Sequence, residues 1–288
     1  MQHRHLVIAR VGQNSLHPSW LGDPDTRNWD LYLCPFQALL PQAAAQATLG
    51  EVIVGPKWTG LRELLNGWPG WRDYDYVWLP DDDIFASQDT ITRMFDTAAA
   101  LKFDLCAPAL HEASYYAHFT TMRNRNTFAR MTGFVEIMAP CFSTRALDVL
   151  LPTLDLTTTG WGWGLDSLWP KLLEYRNTGI IDGTPVLHTR PVGAFRDAEL
   201  GKRVMEESDR IMHVHECRQV HTTWSAFGPD LQPLGLVEDE LTVKLLDGWR
   251  YLLDASPSLV RWIIAAQYPS IVARDYPVAG LPASGAAF

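Results

Sequence analysis

The chain has 288 residues, 47% of them hydrophobic, which is enough to bury a substantial core as one large α/β domain or as two closely packed halves. Its 24 lysines and arginines against 33 acidic residues give a net charge of −9, which argues against nucleic-acid binding, because that needs a basic face to displace counterions. No stretch approaches the roughly 18 consecutive apolar residues that span a bilayer. The apolar run in the opening "MQHRHLVIARVG" is also too short for a signal-peptide core.

"HLVIAR" (residues 5–10) is a continuous apolar run that ends in Gly12 and a polar loop, as a buried parallel strand does. "WDLYLCPF" (29–36) predicts a second strand. "KWTGLRELLNGW" has the spacing of a short helix, with Leu61, Leu64 and Leu65 on one side and Gly67 near its end. A strand over Tyr76–Leu79 runs into Asp81, Asp82 and Asp83, and a helix follows over Ser87–Leu101 with Ser/Asp capping chemistry. "FDLCAPAL" (103–110) predicts another strand. Strands alternating with helices over the first ~110 residues are the pattern of a Rossmann-like parallel sheet, whose ligands bind beyond the carboxyl ends of the strands.

The second half is less regular. A loop or edge segment is expected after residue 110, then a strand "GFVEIMAP" (133–140) and a helix from near Ser143. A Gly/Trp-rich turn "GWGWGLD" and the segment "GIIDGTPVLHTRPVG" come next. Residues 198–216 predict a charged helix, residues 238–266 one or two amphipathic helices, and the last ten residues little structure. Cys34, Cys106, Cys141 and Cys217 are scattered through mostly apolar surroundings, which suits reduced core residues and a soluble, cytoplasmic protein.

Adjacent carboxylates repel, so the three aspartates at a strand end call for a cation. Asp81 and Asp83 are spaced to engage Mn²⁺ or Mg²⁺, which accepts one or two protein carboxylates and fills its remaining positions with water and phosphate oxygens. A solvated acidic turn would carry the same letters. Asp166 is typed for a general base, Trp161 and Trp163 for stacking on a sugar face, and the glycines between them for close backbone approach. The alternative there is a tight turn with the indoles in the core and Asp166 capping a helix. His188, after an apolar strand, is a candidate metal ligand. Glu136 is the odd residue in an apolar strand, placed either to hold an acceptor hydroxyl or to face outward. Arg10 and Lys57 sit near strand ends within reach of a phosphate, and Asp82 belongs with the donor contacts. In "MHVHECRQVH", His213, Cys217 and His221 would share a helix face, as zinc ligands can, but no fourth ligand is evident.

In that order, "GPKW", "YDYVWLPDDDI", "GFVEIMAPCFS", "GWGLD" and "GIIDGTPVLH" resemble the domain-of-unknown-function family 707, itself similar to the glycosyltransferase-A superfamily. The resemblance covers roughly Val54 to Gly193 and leaves the carboxyl-terminal ~70 residues unmatched. It implies a Rossmann-type mixed sheet flanked by helices over residues 1–230, with a nucleotide-binding half over about 1–110 and an acceptor half over about 111–230. A helical extension over 231–288 would pack on the same domain. It further implies that Asp81 faces the ribose or donor sugar, that Asp83 and His188 bind the metal, and that Asp166 stands where inverting members keep their base.

The expected activity is metal-dependent transfer of a sugar from a nucleotide-diphosphate sugar to a saccharide or other hydroxyl acceptor. A nucleotidyltransferase and a non-catalytic nucleotide- or carbohydrate-binding module are the alternatives. The first would carry a glycine-rich basic loop after the first strand, where "ARVGQNSLHPSW" has one glycine and one arginine. The second would not need Asp166.

Overall fold

The computed structural model describes residues 3–40, 44–193 and 197–255. Strands β1 (His5–Val11), β2 (Trp29–Pro35) and β3 (Thr48–Leu49) precede helix α1 (Lys57–Gly67). Then come β4 (Tyr76–Trp78), β5 (Ile84–Phe85), α2 (Gln88–Ala100), β6 (Leu105–Leu110), β7 (Ala129–Gly133), β8 (Cys141–Ser143), α3 (Thr144–Leu150) and α4 (Leu165–Leu172). The described chain closes with β9 (Thr178–His188), α5 (Ala198–Val214), β10 (Val220–Phe227), α6 (Glu238–Gly248) and α7 (Arg250–Ala255). Expected residues 256–266 of the amphipathic stretch, and the last ten residues, lie outside the described residues.

The sheet runs in the order β10-β7-β9-β6-β8-β4-β1-β2-β3, with β5 added against the end of β9. Strands β3, β2, β1 and β4 are parallel, as the alternating pattern of the first half predicts. β6 does not join them directly. The short β8 inserts between β4 and β6, antiparallel to both, so the sheet is mixed. Since β6 and β9 are parallel to each other, the strands β1, β2, β4, β6 and β9 all point one way. Their carboxyl ends, Val11, Pro35, Trp78, Leu110 and His188, therefore meet along one edge.

Both faces of this sheet are covered, which is why β1 reads as an unbroken apolar run. Val7, Ala9 and Val11 pack with Ile91, Met94, Phe95 and Ala98 of α2. Leu6 and Ile8, on the opposite face, pack with Leu61, Leu64 and Leu65 of α1 and with Leu165 and Leu168 of α4. The caps follow the sequence signals: the Ser87 side chain accepts from the Thr90 amide to start α2, and Ser143 from the Ala146 amide to start α3. α6 turns Leu241 and Leu245 inward, beside Trp249, into the core shared with α2. All four cysteines are free and buried. No helix among the described residues is long and apolar enough to cross a membrane.

One expectation fails. "GFVEIMAP" is not a strand: β7 ends at Gly133, and the chain then crosses to the start of β8 without a regular ladder. Pro140 has no amide to donate, the Ile137 carbonyl turns to Lys57, and the Met138 carbonyl is shared between Lys57 and the Asp81 amide. The charged helix expected over 198–216 is α5, which ends at Val214, so Cys217 lies beyond it and His221 lies on β10. His221 Nε2 instead meets His118 Nδ1 at 3.3 Å. The zinc arrangement does not exist, because the three side chains do not share a helix.

Candidate active site

A cleft of about 510 Å³ opens at the carboxyl edge of the sheet. Its wall contains Arg10, Lys57, Asp81, Asp82, Asp83, Glu136, Trp161, Trp163 and His188. These are all the site residues expected from the sequence save Asp166. They come from segments as far apart as β1 and β9, and the parallel strands bring them together by ending at one edge.

Asp81 and Asp82 each have their own cation, and Asp83 has an imidazole. Lys57 Nζ lies 2.7 Å from Asp81 Oδ1, Arg190 lies 3.2 Å from Asp82 Oδ1, and His188 Nε2 lies 3.3 Å from Asp83 Oδ2. Asp81 and Asp82 are therefore compensated by the protein itself, while Asp83 faces an imidazole. Burial nonetheless raises the Asp81 carboxyl above its ordinary value against the pull of Lys57, and Asp83 adds to the rise. Burial likewise raises Asp82, which Arg190 and the Gly12 amide oppose. Asp82 also acts as a clasp: it accepts from the Gly12 amide, while Arg190 donates to both Asp82 and the Asn14 carbonyl. Arg190 is the cleft cation that sequence reading missed, although it stands two residues beyond His188 at the same strand end.

Arg10 and Lys57 spend their hydrogen bonds on the protein. The Arg10 guanidinium, almost wholly buried, donates to the carbonyls of Cys34, Pro35, Ile53 and Gly55 and so holds the chain between β2 and α1. Gly60 leaves room for it, since a Cβ there would overlap the guanidinium. Lys57 donates to Ile137 and Met138 as well as to Asp81. Burial lowers its pKa, with Asp81, Asp83 and Glu136 offsetting part of the fall.

His188 Nδ1 lies 2.7 Å from the Tyr115 carbonyl oxygen, which can only accept, so Nδ1 carries a proton and Nε2 faces Asp83. Burial alone would lower this imidazole. The hydrogen bonds to Asp83 and Tyr115, with the charges of Asp83 and Asp81, raise it above its ordinary value. Asp83 Oδ1 is buried and without a hydrogen-bond partner among the described residues. An Nε2 fixed by an Nδ1–H···O=C bond beside an unpartnered carboxylate oxygen is a donor pair that fits a divalent ion. Among the described residues no group of three or more His, Cys, Asp or Glu is placed to hold a metal. Mg²⁺ and Mn²⁺ are the ions that tolerate so few protein ligands, because water and phosphate fill the rest.

The Gly/Trp turn is built from the threonines before it. Glu207 of α5 accepts from the hydroxyls of Thr157, Thr158 and Thr159 and from the amides of Thr158 and Thr159. With its proton committed to Glu207, the Thr157 hydroxyl turns its lone pairs to the amides of Gly160 and Gly162. Gly160, Gly162 and Gly164 have φ of +73°, +76° and +94°, a region open to glycine, and the tryptophans between them line the cleft. Burial pushes Glu207 up, but its hydrogen bonds outweigh this and hold it below the usual glutamate value. Sequence reading missed Glu207 because nothing distinguishes it from Glu199 or Glu206 on the same charged helix.

Asp166 sits in the first turn of α4, whose N-cap is Gly164, and accepts from Ser167 Oγ at 3.1 Å. It is 6% exposed and is not among the residues that line the cleft. Burial pushes its carboxyl up to about 7 against the hydrogen bonds from Ser167 and Gly164. Glu136 does line the cleft, with Oε2 buried and without a hydrogen-bond partner among the described residues. Burial, and then repulsion from Asp166, push Glu136 up to about 8.

No family model and no curated protein matches the chain. Among solved structures, TarS of S. aureus (residues 1–349) in complex with UDP aligns over 95% of this chain and 83% of its own, at 10% identity and a TM-score of 0.46. The same protein in complex with UDP-GlcNAc aligns over 75% and 70%, at 8% identity and a TM-score of 0.45.

Proposed function

We propose that the protein is a metal-dependent glycosyltransferase that moves a sugar from a nucleotide-diphosphate sugar to an acceptor hydroxyl. One observation carries this reading: Asp83 Oδ1, buried and without a hydrogen-bond partner among the described residues, and His188 Nε2, 3.3 Å from the other Asp83 oxygen, belong to residues that line the same cleft as two indoles and a carboxyl. Asp83 and His188 would hold Mn²⁺ or Mg²⁺, which when bound supplies positive charge against the departing diphosphate. Asp81, Asp82 and the cleft loops position the donor. Trp161 and Trp163 give the acceptor a stacking surface, and Glu136 holds its hydroxyl. The acceptor oxygen bonds to the anomeric carbon as the bond from that carbon to the phosphate oxygen breaks, and Asp166 takes the hydroxyl proton, with inversion.

Calorimetry with a panel of nucleotide sugars, with and without Mn²⁺, followed by an assay for released nucleotide, tests this. Binding is expected only with the ion, and Asp83→Ala is expected to lose it. An Asp83→Ala protein that binds donor and turns over as well as wild type would end the proposal. A base works deprotonated, so turnover is expected to fall as pH drops through about 7, the value at which Asp166 titrates. The position of Asp166 off the cleft wall favours one other reading, a nucleotide- or carbohydrate-binding module, which needs no base. Metal-dependent binding without nucleotide release for every acceptor offered would select it.

A further inference from the structure

Three oxygens converge on Lys57 Nζ: Asp81 Oδ1 at 2.7 Å, the Ile137 carbonyl at 2.8 Å and the Met138 carbonyl at 2.8 Å. An ammonium has three hydrogens and no acceptor, so its donor capacity is filled. The position is fixed from both sides. Lys57 is the first residue of α1, whose Trp58 amide donates to the Gly160 carbonyl, and Nζ lies 4.9 Å from the centre of the Trp58 ring. Asp81 in turn is tied to the same crossing segment, because its own amide donates to the Met138 carbonyl. A lysine waiting for a phosphate would keep hydrogens free towards the cleft.

We infer that Lys57 is a resident cation of the donor site: it occupies a three-oxygen cradle and cancels the charge of Asp81, leaving Asp83 and His188 as the pair that meets a divalent ion. Asp81 is then no metal ligand, and the acidic cluster presents to the ion about one uncompensated carboxylate where the sequence shows three. Arg190 performs the same cancellation for Asp82. The inference rests on the metal-assisted reading above and adds to it which of the three aspartates binds the ion and what disables another.

A double-mutant cycle on Mn²⁺ binding tests it, read from the electron paramagnetic resonance of free Mn²⁺ with no nucleotide present. Lys57→Met removes a positive charge beside the ion and is expected to bind Mn²⁺ at least about tenfold more tightly than wild type. Asp81→Asn leaves the ammonium unpaired and is expected to bind at least about tenfold more weakly. The double variant removes both charges together and is expected within about threefold of wild type, because the pair is self-cancelling. If Asp81 were a direct ligand, the double variant would still lack that ligand and bind Mn²⁺ more than about threefold more weakly than wild type, and that result overturns the inference. So does a folded Lys57→Met protein that binds no more tightly than wild type. Should Lys57→Met fail to fold, the double variant, which leaves no buried charge unpaired, decides the matter alone. UDP added afterwards separates the two claims. A cycle that fails in a protein showing Mn²⁺-dependent UDP binding sinks the Lys57 assignment alone. A cycle that holds in a protein that binds no nucleotide diphosphate sinks the donor reading alone, and a wild type that takes up no Mn²⁺ sinks both.

Discussion

Replacing Glu207 by glutamine is expected to loosen the wall of the cleft that carries Trp161 and Trp163. The carboxylate accepts five hydrogen bonds at 2.6 to 2.9 Å from three successive threonines. Glutamine has one oxygen to offer, and its amide group would face a donor. The hydroxyls of Thr158 and Thr159 can turn to water at little cost, so the loss concentrates on the buried Thr157 hydroxyl and on the charge assistance to two amides. Hydrogen bonds to a charged group contribute about 1.5–3 kcal/mol each, which puts the expected loss at about 2–4 kcal/mol at pH 7. The Thr157 hydroxyl orients the Gly160 and Gly162 amides, so the damage should spread into the turn.

Urea unfolding of the two proteins, compared across pH, measures this. Glu207 titrates below its ordinary 4.5 in the folded protein, so its contribution is complete above that value and disappears as pH falls through the lowered folded value. Glutamine does not titrate. The gap between the two proteins should therefore be full at pH 7 and shrink below pH 4.5. A gap under about 0.5 kcal/mol at pH 7, or one that persists unchanged into acid, would refute the reasoning.

Gly162→Ala forces a side chain into a φ of +76° and a Cβ against Trp58 Cδ1, and should cost about 2–4 kcal/mol, read as a fall in thermal midpoint. Glu136, pushed up to about 8, keeps a proton in the folded state that the unfolded chain loses near 4.5, so wild-type stability should fall as pH rises between those values. Thermal midpoints of Glu136→Gln across the same range should show a shallower fall, and an unchanged slope would contradict the assignment. Arg130 and Asp182 form a pair with both side chains fully buried, and Arg130 also lies 4.8 Å over the Trp249 ring. Asp182→Asn should therefore cost about 3–5 kcal/mol by leaving Arg130 uncompensated, and Asp182→Leu combined with Arg130→Met should cost less than the sum of the single changes in chemical denaturation.

The sequence by itself determined the elements whose signals are local. β1, β2, β4 and β6 show as apolar runs because the sheet is covered on both faces, and α1 and α2 show through Leu spacing and the Ser87 cap. It also determined that a cleft would lie by Asp81–Asp83, since a strand end in a parallel sheet fixes that edge. The tertiary structure alone decided what the aspartates touch. Lys57, Arg190 and His188 reach them across 24, 108 and 105 residues, and no periodicity encodes a partner at that distance. "GFVEIMAP" has the composition of a strand, yet its Ile137 and Met138 carbonyls go to an ammonium. The Glu207 and Arg130–Asp182 anchors were invisible for the same reason. A charged residue on a helix or strand looks alike in sequence whether solvent or a buried partner receives it, and only the packing of distant segments settles which.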